Sequence, residues 1–124
     1  WNLNVRGLLR CSRPFVEAMR ERGAGVIVIT GATASLRGKP FTAAFAQAKA
    51  AQRSLAQSFA RQLGPEGIHV ALVIVDGRIG TDDQEADANS LKPSDIAETV
   101  YQVAVQPKSA WTFETEVRPF NESW

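Results

Sequence analysis

The stretch Gly25 to Lys49, GVIVITGATASLRGKPFTAAFAQAK, constrains the fold more than any other part of the chain. Val26-Ile27-Val28-Ile29 is a short β-branched run, the pattern of a strand buried on both faces. The small residues Thr30-Gly31-Ala32-Thr33-Ala34-Ser35 break that run, and Gly38-Lys39-Pro40 supplies turn chemistry. From about Thr42 good helix formers follow one another, predicting a helix to Gln62 that Gly64-Pro65 stops. Phe45 and Lys49 are four apart and share one face of it. A strand followed through a loop by such a helix predicts a crossover unit, and hence a parallel sheet.

The remaining residues continue the alternation. Residues 1–21 read as a helix with Leu8, Phe15 and Met19 on its apolar stripe, Cys11 or Ser12 between them, and Pro14 expected to kink it or leave one carbonyl unpaired. The arginines Arg6, Arg10, Arg13, Arg20 and Arg22 lie mostly off that stripe and read as a solvated face or as an anion site. Gly23 and Gly25 end it. In the helix over 42–62, Ala44, Ala48, Ala51, Leu55 and Phe59 read as the packed side. Ile68 to Val75 is a second apolar strand. Asp76-Gly77-Arg78-Ile79-Gly80-Thr81 follows it, at the strand end where open α/β sheets bind ligands. Asp82 to Leu91 is polar and acidic and reads as a flexible loop. Pro93 opens a third helix with Ile96, Val100 and Val103 as its stripe. Trp111 to Val117 alternates at period two, an edge strand, and the tail to Trp124 is expected to be loosely held. The expected fold is α/β, half of a doubly wound architecture: three parallel strands alternating with helices.

Composition narrows the function. A net charge of +1 over 124 residues gives no basis for a nucleic-acid or membrane-surface partner. No apolar run approaches membrane-spanning length. The single cysteine, Cys11, excludes an internal disulfide and suits a cytoplasmic location. The single histidine, His69, has no companion metal ligand nearby in sequence and reads as structural or surface, so no metal site is expected.

The segment 25–49 resembles the active-site segment of the short-chain dehydrogenases/reductases. In that family a serine follows the strand, a tyrosine comes thirteen residues later and a lysine four after that. Tyrosine exchanges the proton on the substrate oxygen, lysine lowers its pKa and binds the nicotinamide ribose, and serine holds the substrate oxygen. Lys49 matches the lysine, whereas Phe45 stands at the tyrosine position and Ala32 at the serine position. The resemblance therefore points to a subgroup lacking the tyrosine, since a phenyl ring has no proton to give. Asn4 in Asn4-Val5-Arg6-Gly7 is similar to the family asparagine that holds a water linking lysine to solvent. Gly77, Ile79 and Thr81 keep the spacing of a cofactor-binding loop whose backbone meets the nicotinamide carboxamide and whose threonine meets a phosphate. Asp76 replaces that loop's proline, which is expected to free its backbone and add negative charge. The polar stretch 82–91 falls where relatives carry a lid.

What the resemblance implies is the carboxyl-terminal half of an NAD(P)-binding Rossmann-like domain, spanning residues 1–124. The family's glycine-rich phosphate turn has no counterpart here, because Gly23-Ala24-Gly25 precedes a strand instead of following one. The parent is expected to be an oxidoreductase using NAD or NADP on a carbonyl or alcohol substrate. The chain by itself is expected to be inactive, with no cofactor or weak binding only, Thr33 and Ser35 being the nearest substitute hydroxyls. Alternatives are a non-catalytic cofactor- or partner-binding module, or a truncated product stable only as an oligomer. Family members pair helices across a two-fold axis, which implies a homo-oligomer through helices 1–21 and 42–62.

Overall fold

The computed structural model describes residues 1–83 and 89–123. The chain enters as a π-helical turn, Asn2–Gly7, that passes without a break into α1, Leu8–Arg22. Gly7 and Leu8 both have right-handed helical dihedrals, so the two pieces form one rod, and it runs on through Pro14. The expected stripe on this rod is corrected. Val5, Ser12 and Val16 are buried, Leu8 and Met19 only flank the core, and Phe15 is 64% exposed. Phe15 is one position, about 100° of helix rotation, away from Val16, so both cannot face inward. Gly23 closes α1 at φ 62°, its N–H bonding back to Arg20 O, with Ala24 N–H bonding to Met19 O. That left-handed cap is what glycine supplies without strain.

The next strand, β1, is Gly25–Ala32 and pairs in parallel with β2, Ile68–Val75, from Gly25↔Ile68 to Ala32↔Val75. The strand therefore outruns its apolar stretch by three residues, because Thr30, Gly31 and Ala32 find ladder partners in Val73, Ile74 and Val75. A third strand joins β2 on its other side, giving the order β1-β2-β5, where β3 and β4 are short strands described below. This β5, Glu114–Val117, is shorter than the alternation predicted and is parallel to β2. Three parallel strands alternating with helices are thus present.

Between β1 and β2 lies α2, Ala43–Leu63, and between β2 and β5 lies α3, Pro93–Ala104. Ile68, Val70, Leu72 and Ile74 pack with Ile29 of β1, Val16 of α1 and Ala56 and Leu63 of α2. Alternate strand residues point to opposite faces, so α1 and α2 cover one side of the sheet. On α2 the buried stripe is Ala48, Gln52, Ala56 and Leu63; Ala44 is exposed, and Ala51 and Leu55 are only half-buried. On α3 only Val103 of the expected stripe is fully buried, with Ile96 and Val100 half-buried. An Arg53–Glu114 ion pair, bonded at 2.6 and 3.0 Å, ties α2 to β5.

His69 is 2% exposed. Its ring stacks on Trp111 at 4.8 Å, and Nε2 lies 2.8 Å from the Thr112 carbonyl, which fixes the proton on Nε2. It holds β2 to the approach of β5, and among the described residues no metal-holding cluster forms around it. No helix of the described residues is long and apolar enough to cross a membrane.

A two-strand parallel ladder had no counterpart in the sequence reading. It joins β3, Arg78–Ile79, to β4, Ser90–Leu91, reinforced by Gly80 N–H to Leu91 O at 2.9 Å. The stretch 82–91 read as a loop or lid falls partly outside the described residues.

Candidate active site

The carboxyl ends of β1 and β2 and the first turns of α2 converge at one edge of the sheet. Lys49 reaches that edge from α2, its Nζ donating at 3.0 Å to Thr30 O and at 3.0 Å to Gln52 Oε1. Burial against the sheet pushes its pKa below the ordinary lysine value, since nothing acidic offsets the lost hydration. The Phe45 ring lies one turn earlier and 6.0 Å from Nζ, at the outer limit of a cation–π contact. Phe45 is 48% exposed, so it faces outward instead of into the core. The structure therefore brings Lys49 and Phe45 together.

Ala32 is half-buried at the end of β1, immediately before the 3₁₀ turn Thr33–Ser35. Of the two nearby hydroxyls, Thr33 Oγ1 donates to Asp76 Oδ1 at 2.9 Å. Ser35 Oγ is buried without a partner and turned away from the cavity that Thr33 lines. Asn4 lies in the π-helical turn, which packs on α2. Its side chain makes no hydrogen bond among the described residues and does not reach Lys49 directly. π-helical turns widen the helix locally and recur at functional sites.

The loop after β2 carries Gly77 at φ 136°, a conformation open to glycine and strained for other residues. A Cβ there would lie 2.8 Å from Pro119 Cδ, so the segment after β5 packs directly on this loop. Ile79, in β3, is 52% exposed, and Thr81 is exposed just beyond it.

Asp76 is where the sequence reading needs correction. Its backbone is not freed by the absence of proline: its N–H donates to Val117 O at 2.9 Å, a bond that proline would forbid. Its carboxylate is 5% exposed. Arg118 Nη2 stands 3.4 Å from Oδ2 and Arg37 Nη2 3.8 Å from Oδ1, with the Thr33 hydroxyl completing the set. Arg118 Nη2 also donates to the carbonyls of Glu122 and Ser123 at 3.2 Å. The sequence signal was an acid placed directly after the nearly all-apolar stretch Ile68 to Val75, which must either stay wet or find cations. The cations themselves were not legible, since Arg118 is 42 residues away.

These groups border a cavity of about 450 Å³. One wall comes from Thr33, Arg37, Lys39, Phe41 and Thr42, and the other from Asp76, Glu122 and Ser123. Phe45 and Lys49 are not part of its lining.

A family model described as short chain dehydrogenase matches residues 1–91. A 72-residue stretch is 35% identical to 17-beta-hydroxysteroid dehydrogenase type 1 of Homo sapiens, covering 58% of this chain and 22% of that protein. A crystal structure of a short-chain dehydrogenase from Rhodopseudomonas palustris superimposes with a TM-score of 0.71 at 45% identity, over 87% of this chain and 44% of that one. The alcohol dehydrogenase from Thermococcus sibiricus, complexed with 5-hydroxy-NADP, superimposes with a TM-score of 0.82 at 22% identity, a likeness of fold. It is covered over 52% of its length, and 97% of this chain is used. The chain thus spans about half or less of the proteins it matches.

Proposed function

The chain belongs to the short-chain dehydrogenase family, and from that membership we propose that it is the carboxyl-terminal half of an oxidoreductase acting on a carbonyl or alcohol with NAD or NADP. The observation that carries this reading is Lys49, held by Thr30 O and Gln52 one helical turn from an exposed ring. In this reading Phe45 occupies the place of the proton-donating tyrosine and Ala32 that of the serine. The half-domain alone is then catalytically silent.

The donor set suits the nicotinamide end of a dinucleotide, with the Thr81 hydroxyl as a donor for a phosphate. Lys49 has three N–H donors and uses two, leaving one for a ribose hydroxyl. Gly77 gives the loop its turn, with Pro119 against it, while Ile79 offers backbone and apolar surface to a flat ring and Thr81 offers a hydroxyl to a phosphate. A bound nicotinamide would supply the hydride chemistry. This chain's part is to orient the substrate and to handle the proton. Phe45 cannot do the second task, and loss of a general acid costs on the order of a hundredfold to ten-thousandfold in rate. Thr33 is the better substitute for the substrate-holding hydroxyl, because it faces the cavity and is oriented by Asp76, whereas Ser35 does neither. Asn4, on the π-helical turn against α2, would contribute through water to Lys49.

The second reading is a module that binds cofactor or partner without turnover, favoured by the missing proton donor at Phe45. Calorimetric titration of NAD and NADP into the chain and into a longer parent, with turnover assays on a carbonyl panel, separates the two. The expected result is binding and turnover by the parent, and at most weak binding by the chain. Robust cofactor-dependent turnover by the 124-residue chain overturns the proposal.

A further inference from the structure

We infer that the cavity between Thr33 and Glu122 takes a small hydroxy acid, held by its carboxylate on Arg37 and Lys39 and by its hydroxyl on Thr33. The inference rests on the oxidoreductase reading only in taking that ligand to be the substrate.

The charges on the cavity walls are not equivalent. Asp76 is buried and already matched, by Arg118 at 3.4 Å and by the Thr33 hydroxyl at 2.9 Å. Arg37 is half-exposed, and the closest acid to it, Asp76, is 3.8 Å away, beyond a hydrogen bond. Lys39 is exposed and has no acid within ion-pair distance among the described residues. Two cations on one short loop, 33–42, therefore face the cavity with their hydrogen-bond capacity unspent. Glu122 on the opposite wall disfavours a second negative group at the far end of a ligand. The charge pattern selects one carboxylate at the Arg37–Lys39 side.

Thr33 fixes the other functional group. Its proton is committed to Asp76, so its free lone pairs accept, and a ligand hydroxyl donates where a carbonyl cannot. The hydroxyl is thereby held just past the end of β1, on the turn Thr33–Ser35. An apolar molecule such as a steroid would instead strip water from Arg37 and Lys39 without repaying it. The substrate class is thus set apart from that named for the human relative.

The test is calorimetry or ligand-observed NMR on the chain with three probes, glycerate, propionate and methyl glycerate, and with estradiol. No nucleotide is added, so absence of cofactor binding leaves the result readable, and NADP is titrated separately to judge the family-level reading. The expected result is glycerate bound, and propionate and the neutral ester each weaker by about tenfold, as loss of one polar anchor implies. Lys39→Gln and Arg37→Gln each weaken glycerate by about tenfold, and added salt weakens it further. Lys39→Gln is the safer variant, since Lys39 touches no buried acid. Equal affinity for methyl glycerate or propionate, tighter binding of estradiol, no glycerate binding at 50-millimolar scale (roughly the floor for two charge-assisted contacts), or unchanged affinity in both variants overturns it.

Discussion

Replacing Gly77 by alanine tests the packing that shapes the candidate site. Two costs arise at once. The backbone sits at φ 136°, where a side chain strains it by about 1–3 kcal/mol. The new Cβ would also meet Pro119 Cδ at 2.8 Å and Cγ at 3.1 Å. A proline ring cannot swing aside by a rotamer change, and Arg118, next to it, is anchored to Asp76 and to the carbonyls of Glu122 and Ser123. Overpacking of this kind costs about 1–3 kcal/mol. A shift of the 119–123 segment would relieve part of both, so the expected loss is about 2–4 kcal/mol, less than the plain sum. Urea unfolding of the chain measures it, read at constant m-value. Gly38→Ala is the matched control: nothing lies within 4 Å of its Cβ position, and its φ is outside the left-handed range. That variant should stay within about 0.5 kcal/mol of the parent. If Gly77→Ala does so too, the segment after β5 does not hold the loop as described.

Three further outcomes follow from the same geometry. Phe45→Tyr in the longer parent should raise carbonyl turnover by about a hundredfold or more, with Ala32→Ser adding to it, because Lys49 Nζ already stands one turn away; no gain with either variant across a carbonyl panel refutes the site assignment. Lys49 has a folded-state pKa below its unfolded one, so the unfolded state holds the proton longer and stability rises as pH climbs from the folded value to about 10.4. Urea midpoints of the parent minus those of Lys49→Met should show that rise, and a flat difference rejects it. Ala51→Trp should weaken self-association, measured by sedimentation at micromolar concentration, more than Ala97→Trp on the exposed side of α3, because Leu9, Phe15, Phe41 and Phe45 leave apolar surface around the first two helices; a compact monomer unaffected by either change ends that reading.

The alternation of elements was legible because each strand writes its own burial. All but the last residue of β2 are buried, and a strand apolar at every position except His69 has few other places to go. Phase on a helix was less legible. Leu8, Ser12 and Met19 of the expected stripe do lie on the core side, but its aromatic member Phe15 is exposed and Val5 and Val16 are buried instead. The sheet decides which of the neighbours Phe15 and Val16, about 100° apart on the helix, turns inward. Strand ends were likewise decided by partners: Thr30 to Ala32 carry no β-branched run but are paired because β2 continues beside them.

The site divides in the same way. Lys49 and Phe45 were legible because they lie on one helix, where spacing fixes proximity. The node around Asp76 was not, because its members come from the ends of three strands: Thr33 after β1, Asp76 after β2 and Arg118 after β5. A parallel sheet gathers such ends at one edge, which is why chemistry there assembles from residues far apart in sequence. Asp76 also shows why a substitution read by analogy can mislead. Read against a proline, it seems to loosen a turn; in place, it gives β5 an added hydrogen bond and a buried carboxylate around which Thr33 and Arg118 are arranged. A residue that departs from the resemblance is therefore the one that organises this edge of the sheet.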